Sequence, residues 1–123
     1  MFRELRRSKP YEIQIELSDY CNSKCPICTR YIEGRVGLKP TASVNRNQIS
    51  YEDFRKWFPR WFIRDRLFKM RFNGQVGESS LCEDLLDIVG YILKCNKNLE
   101  YLSLTTNGGT RTPEFWYELG KLM

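Results

Sequence analysis

The sequence of 123 residues contains no histidine. This absence excludes catalytic triads and dyads built on histidine, zinc sites with histidine ligands, and histidine general bases. Catalysis by this chain would therefore depend on cysteine, carboxylate, lysine or tyrosine side chains, or on a cofactor.

Long apolar segments are also missing. No run approaches the roughly 18 apolar residues needed to span a bilayer, and the charged start MFRELRRSKPYE lacks the apolar core of a signal peptide. We therefore expect a cytoplasmic protein with no membrane partner, in a compartment where thiols stay reduced. The net charge of +5 is spread along the chain. Such a distribution is typical of a solvated surface and disfavours nucleic-acid binding.

The length suits a single domain, which we place at residues 11–123 after a lead-in of residues 1–10. Strands and helices alternate along it. Ser50 with Asp53 predicts a helix N-cap, Pro59 predicts a kink or restart, and Thr112 before Pro113 predicts another helix start. Leu81, Leu85, Ile88 and Ile92 are predicted to share one helical face. The three predicted strands are Tyr11–Leu17, Phe68–Phe72 and Leu99–Thr105.

Three βα units in succession predict an α/β fold with a parallel sheet. Each predicted strand alternates between an apolar and a polar face, as in Ile13 and Ile15 against Glu12 and Gln14. Strands covered on both faces would be apolar throughout. We therefore predict helices on the apolar face and a polar face that lines the lumen of a partial barrel. A sheet with one face open to water is the alternative.

Three cysteines, Cys21, Cys25 and Cys28, follow the first strand with CxxxCxxC spacing. Three thiolates can ligate three irons of a [4Fe–4S] cluster and leave the fourth iron open for a small molecule. A structural zinc site would need a fourth ligand. Only Cys82 and Cys95 remain as sulfur candidates, and both are predicted to lie in the helix after the second strand, with Cys95 in the core. The cluster is favoured, while zinc or no metal stays an alternative.

The segment ELSDYCNSKCPICTR resembles the cluster loop of the radical S-adenosylmethionine (SAM) superfamily. This resemblance implies a [4Fe–4S] cluster held by the three cysteines, with SAM bound at the open iron. It further implies reductive cleavage of SAM to a 5′-deoxyadenosyl radical, which abstracts hydrogen from an unknown substrate. An electron donor of the flavodoxin or ferredoxin type is the expected partner.

Two later segments resemble other motifs of this superfamily. The residues NGQVGES, at 73–79, are similar to its GGE-type motif. By this resemblance Gly74 and Gly77 admit close backbone approach and Glu78 receives the amino group of SAM. Thr106 and Asn107 belong to a turn similar to the TNG turn near the SAM site. Ile27 stands where the family often has an aromatic residue near adenine, and Ser79 replaces a frequent proline.

The resemblance covers residues 11–123, but the family core has six βα units and only three are present. We therefore expect a truncated chain whose open sheet edge is covered by a missing C-terminal half or by another chain. The cluster loop is placed at residues 18–30. An insertion at 31–48, with Arg35, Lys39 and Arg46, is interpreted as a solvated loop in preference to a lid. A non-catalytic iron–sulfur or zinc-binding interaction module is the alternative function, and a basic nucleic-acid-binding domain is the weakest.

Overall fold

The computed structural model describes residues 11–28, 47–75 and 77–123, so the lead-in and most of the insertion lie outside the described residues. Three parallel strands form an open sheet in the order β1-β2-β3. The strands are β1 (Tyr11–Ile15), β2 (Leu67–Phe72) and β3 (Tyr101–Leu104). The predicted parallel α/β fold is confirmed, and each strand is shorter than or offset from its predicted bounds by a few residues.

Within the described residues four α-helices accompany the sheet, and local signals set where they begin. The Ser50 hydroxyl accepts a hydrogen bond from Asp53 N at 3.1 Å, and the Thr112 hydroxyl accepts one from Phe115 N at 3.4 Å. Pro59 separates the first two helices, because its nitrogen has no hydrogen to donate within a helix. The helices are α1 (Tyr51–Trp57), α2 (Arg60–Asp65), α3 (Leu85–Cys95) and α4 (Pro113–Leu122).

The core lies between the apolar face of the sheet and these helices. Met70 and Phe72 of the central strand are buried, as is Leu17 just after β1. The helices contribute buried side chains at helical spacing, and partly buried Leu102 and Leu104 extend the core along β3. The buried helical residues include Phe54, Ile63, Leu85, Ile88, Ile92 and Leu119.

Three predictions within these elements are wrong. Leu81 does not belong to the helix with Leu85, because Ser79–Leu81 forms a separate 3₁₀ helix. Cys82 follows it with an extended backbone (φ −61°, ψ 122°), which stops helical propagation and places Cys82 before α3. Phe68 does not share the buried face of Met70, since it is 37% exposed. The strand pairing skips one residue there, with Tyr11 opposite Leu67 and Glu12 opposite Lys69, as in a β-bulge.

The polar faces of the strands are paired across the sheet. Arg71 Nε donates to Glu12 Oε1 at 2.7 Å, and Asn73 Nδ2 donates to Gln14 Oε1 at 2.9 Å. The Glu12 and Arg71 side chains each remain 39% exposed. The described strands therefore combine an apolar face under helices with a polar, accessible face, which is consistent with part of a barrel. No helix in the described ranges is long and apolar enough to cross a membrane.

Asn96, at the C-cap of α3, ties this helix to the start of β2. Its Nδ2 donates to Ile63 O at 2.9 Å and to Leu67 O at 2.8 Å, and the residue is 6% exposed. Asn96→Ala should lower the free energy of unfolding by about 2–3 kcal/mol, because it leaves buried carbonyl groups without donors. Urea unfolding monitored by circular dichroism measures this change.

The matched control is Asn98→Ala, which removes the same kind of side chain from an exposed position. Its backbone N–H would still donate to Asn96 Oδ1, so the expected change is within about 0.5 kcal/mol. Equal effects of the two substitutions would contradict the structural role of Asn96.

Candidate functional site at the carboxyl edge of the sheet

Three loops meet where the parallel strands end. The cysteine loop follows β1, residues 73–78 follow β2, and residues 105–111 follow β3. Because strands β1 and β3 both flank β2 in parallel, all three loops leave the same edge. This is the edge at which open α/β sheets bind ligands.

The cysteine loop presents three free thiols at this edge. Cys25 is exposed, while Cys21 and Cys28 are half-buried. A turn closes between them, in which Cys28 N donates to Cys25 O at 3.1 Å. Cys28 also contacts the β2 loop, with its Sγ 4.0 Å from Gln75 O. The structure thus brings the cysteine loop against the loop that follows the neighbouring strand.

The chemistry of these donors fits an iron–sulfur cluster, since three accessible thiols lie within eight residues and none is in a disulfide. The three sulfur atoms do not converge on one point. In residues 11–28, 47–75 and 77–123, no three Cys, Asp or Glu side chains are grouped closely enough to hold one metal ion. The fit therefore rests on the type and accessibility of the donors, and the ligand assignment stays a prediction.

The other two cysteines do not join this group. Cys82 is fully buried, and its Sγ donates to Ile49 O at 3.3 Å. Burial raises the pKa of its thiol to about 11, which disfavours the thiolate that a metal ligand requires. Cys95 ends α3 beside Asn96, which bonds to the first residue of β2, and so lies toward the opposite edge of the sheet.

Glu78 contacts all three loops. Its backbone N donates to Tyr20 O at 2.8 Å. Its Oε1 accepts from Ser80 Oγ at 2.7 Å, and its Oε2 accepts from Asn107 N at 2.8 Å. The side chain is almost fully buried, with the residue 3% exposed. Glu78 was predicted to receive an amino group of SAM, but here its carboxylate organises the protein's own loops.

Burial by itself would raise the pKa of the Glu78 carboxyl. Hydrogen bonds from the Asn107 backbone, from Ser80 and from Thr106 outweigh burial, and the pKa lies below the ordinary value of 4.5. Hydrogen bonds to the charged form stabilise that form. Glu78 is therefore an anion held in place by neutral donors.

Asn107 connects the β3 loop to the cysteine loop. Its Nδ2 lies 2.9 Å from Asn22 Oδ1, 2.9 Å from Ser23 Oγ and 3.9 Å from Cys21 Sγ. Its Oδ1 accepts from Gly109 N at 2.9 Å, which closes the turn. The turn that follows β3 therefore lies against the cysteine loop.

The glycines of the β2 loop lie close to the protein's own backbone, and their predicted role beside SAM stays a prediction. A Cβ at Gly77 would lie 1.6 Å from Ser18 O, and one at Gly74 would lie 2.9 Å from Gly77 O. The approach that excludes a side chain at these positions is therefore that of the protein's own backbone. Thr106 has its hydroxyl 3.0 Å from Gly108 N, where it accepts a hydrogen bond. Ile27 is 92% exposed, so it packs against nothing in the described residues.

Three polar contributors to this edge were missed from the sequence. The Glu16 carboxylate accepts from Gln75 N and Gly77 N, each at 3.1 Å. The Ser79 hydroxyl, predicted to matter little, donates to Asn73 O at 2.7 Å and is fully buried. Arg111 donates from Nε to Ser80 O at 2.7 Å and from a terminal nitrogen to Cys82 O at 2.8 Å. In the sequence, Glu16 was indicated only by its place on the polar face of the predicted first strand, Tyr11–Leu17.

Comparisons with known proteins agree with this arrangement. The chain is 30% identical over 114 residues to GTP 3′,8-cyclase from Cronobacter sakazakii (strain ATCC BAA-894), a match that covers 91% of this chain and 32% of the cyclase. Its fold is similar to the crystal structure of BtrN in complex with AdoMet and 2-DOIA, with a TM-score of 0.64. The chain is related to the radical SAM enzymes.

The matches cover only part of each of these two relatives. The chain spans about a third of the length of the curated relative. The match to BtrN covers 92% of this chain and 42% of that chain, and its 18% identity supports similarity of fold alone. No protein-family model matches the sequence.

Gly77 gives a sharp test of how the β1 and β2 loops cross. Gly77→Ala should destabilise the fold by about 3 kcal/mol or more, because its Cβ would overlap the Ser18 backbone. Gly90→Ala is the matched control, since a Cβ there meets no atom within 4 Å. In the helical interior it should stabilise by about 0.5–1 kcal/mol. Thermal unfolding of both variants measures the contrast, and a tolerated Gly77→Ala would contradict the crossing.

Glu78 gives a pH-dependent test. Glu78→Gln should lower the free energy of unfolding by about 2 kcal/mol at neutral pH, because a charged acceptor is lost. Since the folded pKa is lowered, the stabilisation by wild-type Glu78 is complete above 4.5 and is lost as the pH falls through the folded value. The difference between wild type and variant should therefore shrink in acid.

Urea unfolding at a series of pH values measures this difference. Glu83→Gln, a substitution of an exposed glutamate, is the control and should change stability little. A difference between wild type and Glu78→Gln that stays constant into acid would show that the charge of Glu78 is not what stabilises the loops.

Proposed function

We propose that this chain carries the cluster and SAM-binding part of a radical SAM enzyme. The single observation that supports this most strongly is the meeting of the cysteine loop with the β2 and β3 loops, through Glu78, Asn107 and Cys28. Three segments that resemble motifs of one superfamily thus lie together at the edge where open α/β sheets bind ligands.

In this proposal Cys21, Cys25 and Cys28 would hold a [4Fe–4S] cluster. Three protein ligands leave one iron for the amino and carboxylate groups of SAM. When bound, the cluster supplies the electron that cleaves SAM into methionine and a 5′-deoxyadenosyl radical, which removes hydrogen from a substrate. The electron would come from a donor of the flavodoxin or ferredoxin type.

The residues of this chain would act mainly by positioning. Glu78 fixes the β3 loop through Asn107 N, and the Asn107 side chain then holds the start of the cysteine loop through Asn22 and Ser23. An ammonium group of SAM that reaches Glu78 would compete with the donors that already occupy its oxygens. Gly74, Gly77 and Thr106 would shape the backbone around the cofactor, and exposed Ile27 would be available to cover the adenine.

Electron paramagnetic resonance on the anaerobically reconstituted and reduced protein, with and without SAM, tests this proposal. We expect a reduced [4Fe–4S] signal that changes when SAM is added, because SAM would ligate the open iron. A cluster signal that does not respond to SAM would favour a non-catalytic iron–sulfur module. Zinc in place of iron, at one ion per chain, would overturn the cluster assignment.

Cysteine variants identify the ligands. Cys25→Ser replaces an exposed thiol, so the fold should survive while the cluster signal is lost. Cys95→Ser is the matched control, since Cys95 lies away from the three loops and should leave the signal and the iron content unchanged. A cluster that persists in Cys25→Ser, or that disappears in Cys95→Ser, would contradict the assignment.

A further inference from the structure

A groove of about 760 Å³ lies on the helical side of the sheet, away from the cysteine loop. It is bounded by α1, α2, α3 and α4. Its lining contains four cationic side chains, Arg55, Arg60, Lys94 and Lys121. The same lining contains two carboxylates, Asp87 and Glu118, so positive charges outnumber negative ones in the groove.

Three of these cations are not neutralised. Within the part of the chain that the structure describes, Lys121 pairs with Glu118 at 3.3 Å, whereas Arg55, Arg60 and Lys94 form no ion pair. All three are exposed to solvent. Both arginines also line a second cavity of about 390 Å³, together with the ion-paired Glu52 and Lys56.

Arg55 is held in place by aromatic rings. Its Cζ lies 5.4 Å from the ring centroid of Tyr51 and 5.8 Å from that of Tyr91. Tyr91 is itself fixed, since its hydroxyl donates to Phe58 O at 3.0 Å. The guanidinium is thus oriented by aromatic contacts before any ligand arrives.

Gly90 leaves the floor of the groove open. It lines the groove between Asp87 and Lys94 on α3, and a Cβ at this position would meet no atom within 4 Å. The space above it is large enough to admit part of a ligand. Asp87 is the carboxylate in this lining for which no ion pair is formed within the described ranges, and it would oppose an anion.

We propose that this groove binds a small polyphosphate group, either inorganic or as the phosphate chain of a phosphorylated metabolite. Arg55 and Arg60 supply planar guanidinium donors that suit phosphate oxygens, and Lys94 adds a third positive charge. This site is separate from the carboxyl edge of the sheet, and the inference does not depend on the proposed function.

Isothermal titration calorimetry with inorganic tripolyphosphate, on the full 123-residue chain at low ionic strength, tests the site. We expect saturable binding that weakens as salt is added. Arg60→Gln should weaken it about tenfold, as expected for one charge-assisted contact. Gly90→Leu should abolish binding by filling the floor, and Asp87→Asn should strengthen it by removing an opposing charge.

Lys97→Gln is the matched control, because it removes one exposed positive charge that does not line the groove. ATP and CTP, compared with tripolyphosphate, separate the two sources of phosphate: similar affinities support recognition of phosphate alone. Equal weakening by Lys97→Gln and Arg60→Gln would overturn the proposal in favour of diffuse attraction. The absence of saturable tripolyphosphate binding would overturn it as well. So would binding of single-stranded RNA, but not of tripolyphosphate, that Arg60→Gln abolishes.

Discussion

The Glu78 carboxylate is the interaction on which the candidate site depends. It is buried, yet it is anionic, because donors from two loops satisfy its oxygens. A buried charge is costly unless it is hydrogen-bonded, so the loops that carry Ser80 and Asn107 are held to the geometry that supplies these bonds. The cysteine loop is then held in turn, through the Asn107 side chain and through Tyr20 O.

The close approach of Gly77 to the Ser18 backbone positions the neighbouring Glu78 carboxylate. The β2 loop runs against the Ser18 backbone with no room for a Cβ, and Glu16 accepts hydrogen bonds from the same loop. The loop therefore packs closely against the end of β1 before the 3₁₀ helix Ser79–Leu81 begins, and the Glu78 side chain is buried. Arg111 completes this arrangement, since it donates to the carbonyl group of Ser80 in the short helix and to that of Cys82 just after it, which also accepts from Leu85 N.

The sequence predicted those features that local chemistry determines. Ser50, Pro59 and Thr112 act within a few residues of themselves, and each behaves as expected. The contacts that build the site join residues far apart along the chain, such as Glu78 to Asn107 and Ser18 to Gly77. No periodicity or spacing encodes such contacts, so the residues were found through resemblance while their contacts with one another were not. At Gly77, for example, nothing in the sequence indicated the Ser18 backbone that leaves no room for a Cβ.

Ion pairs occur on both sides of the sheet, and on the helices they include Lys56 with Glu52 and Lys121 with Glu118. On the polar face, Arg71 pairs with Glu12 and Lys69 with Glu100, at 2.7 Å and 3.6 Å. On the helical side, Arg55 has aromatic neighbours in place of a carboxylate. Arg55, Arg60 and Lys94 line one groove and have no ion pair in the described residues, so their mutual repulsion is reduced only by solvent screening. An anionic ligand in the groove would replace this repulsion with attraction.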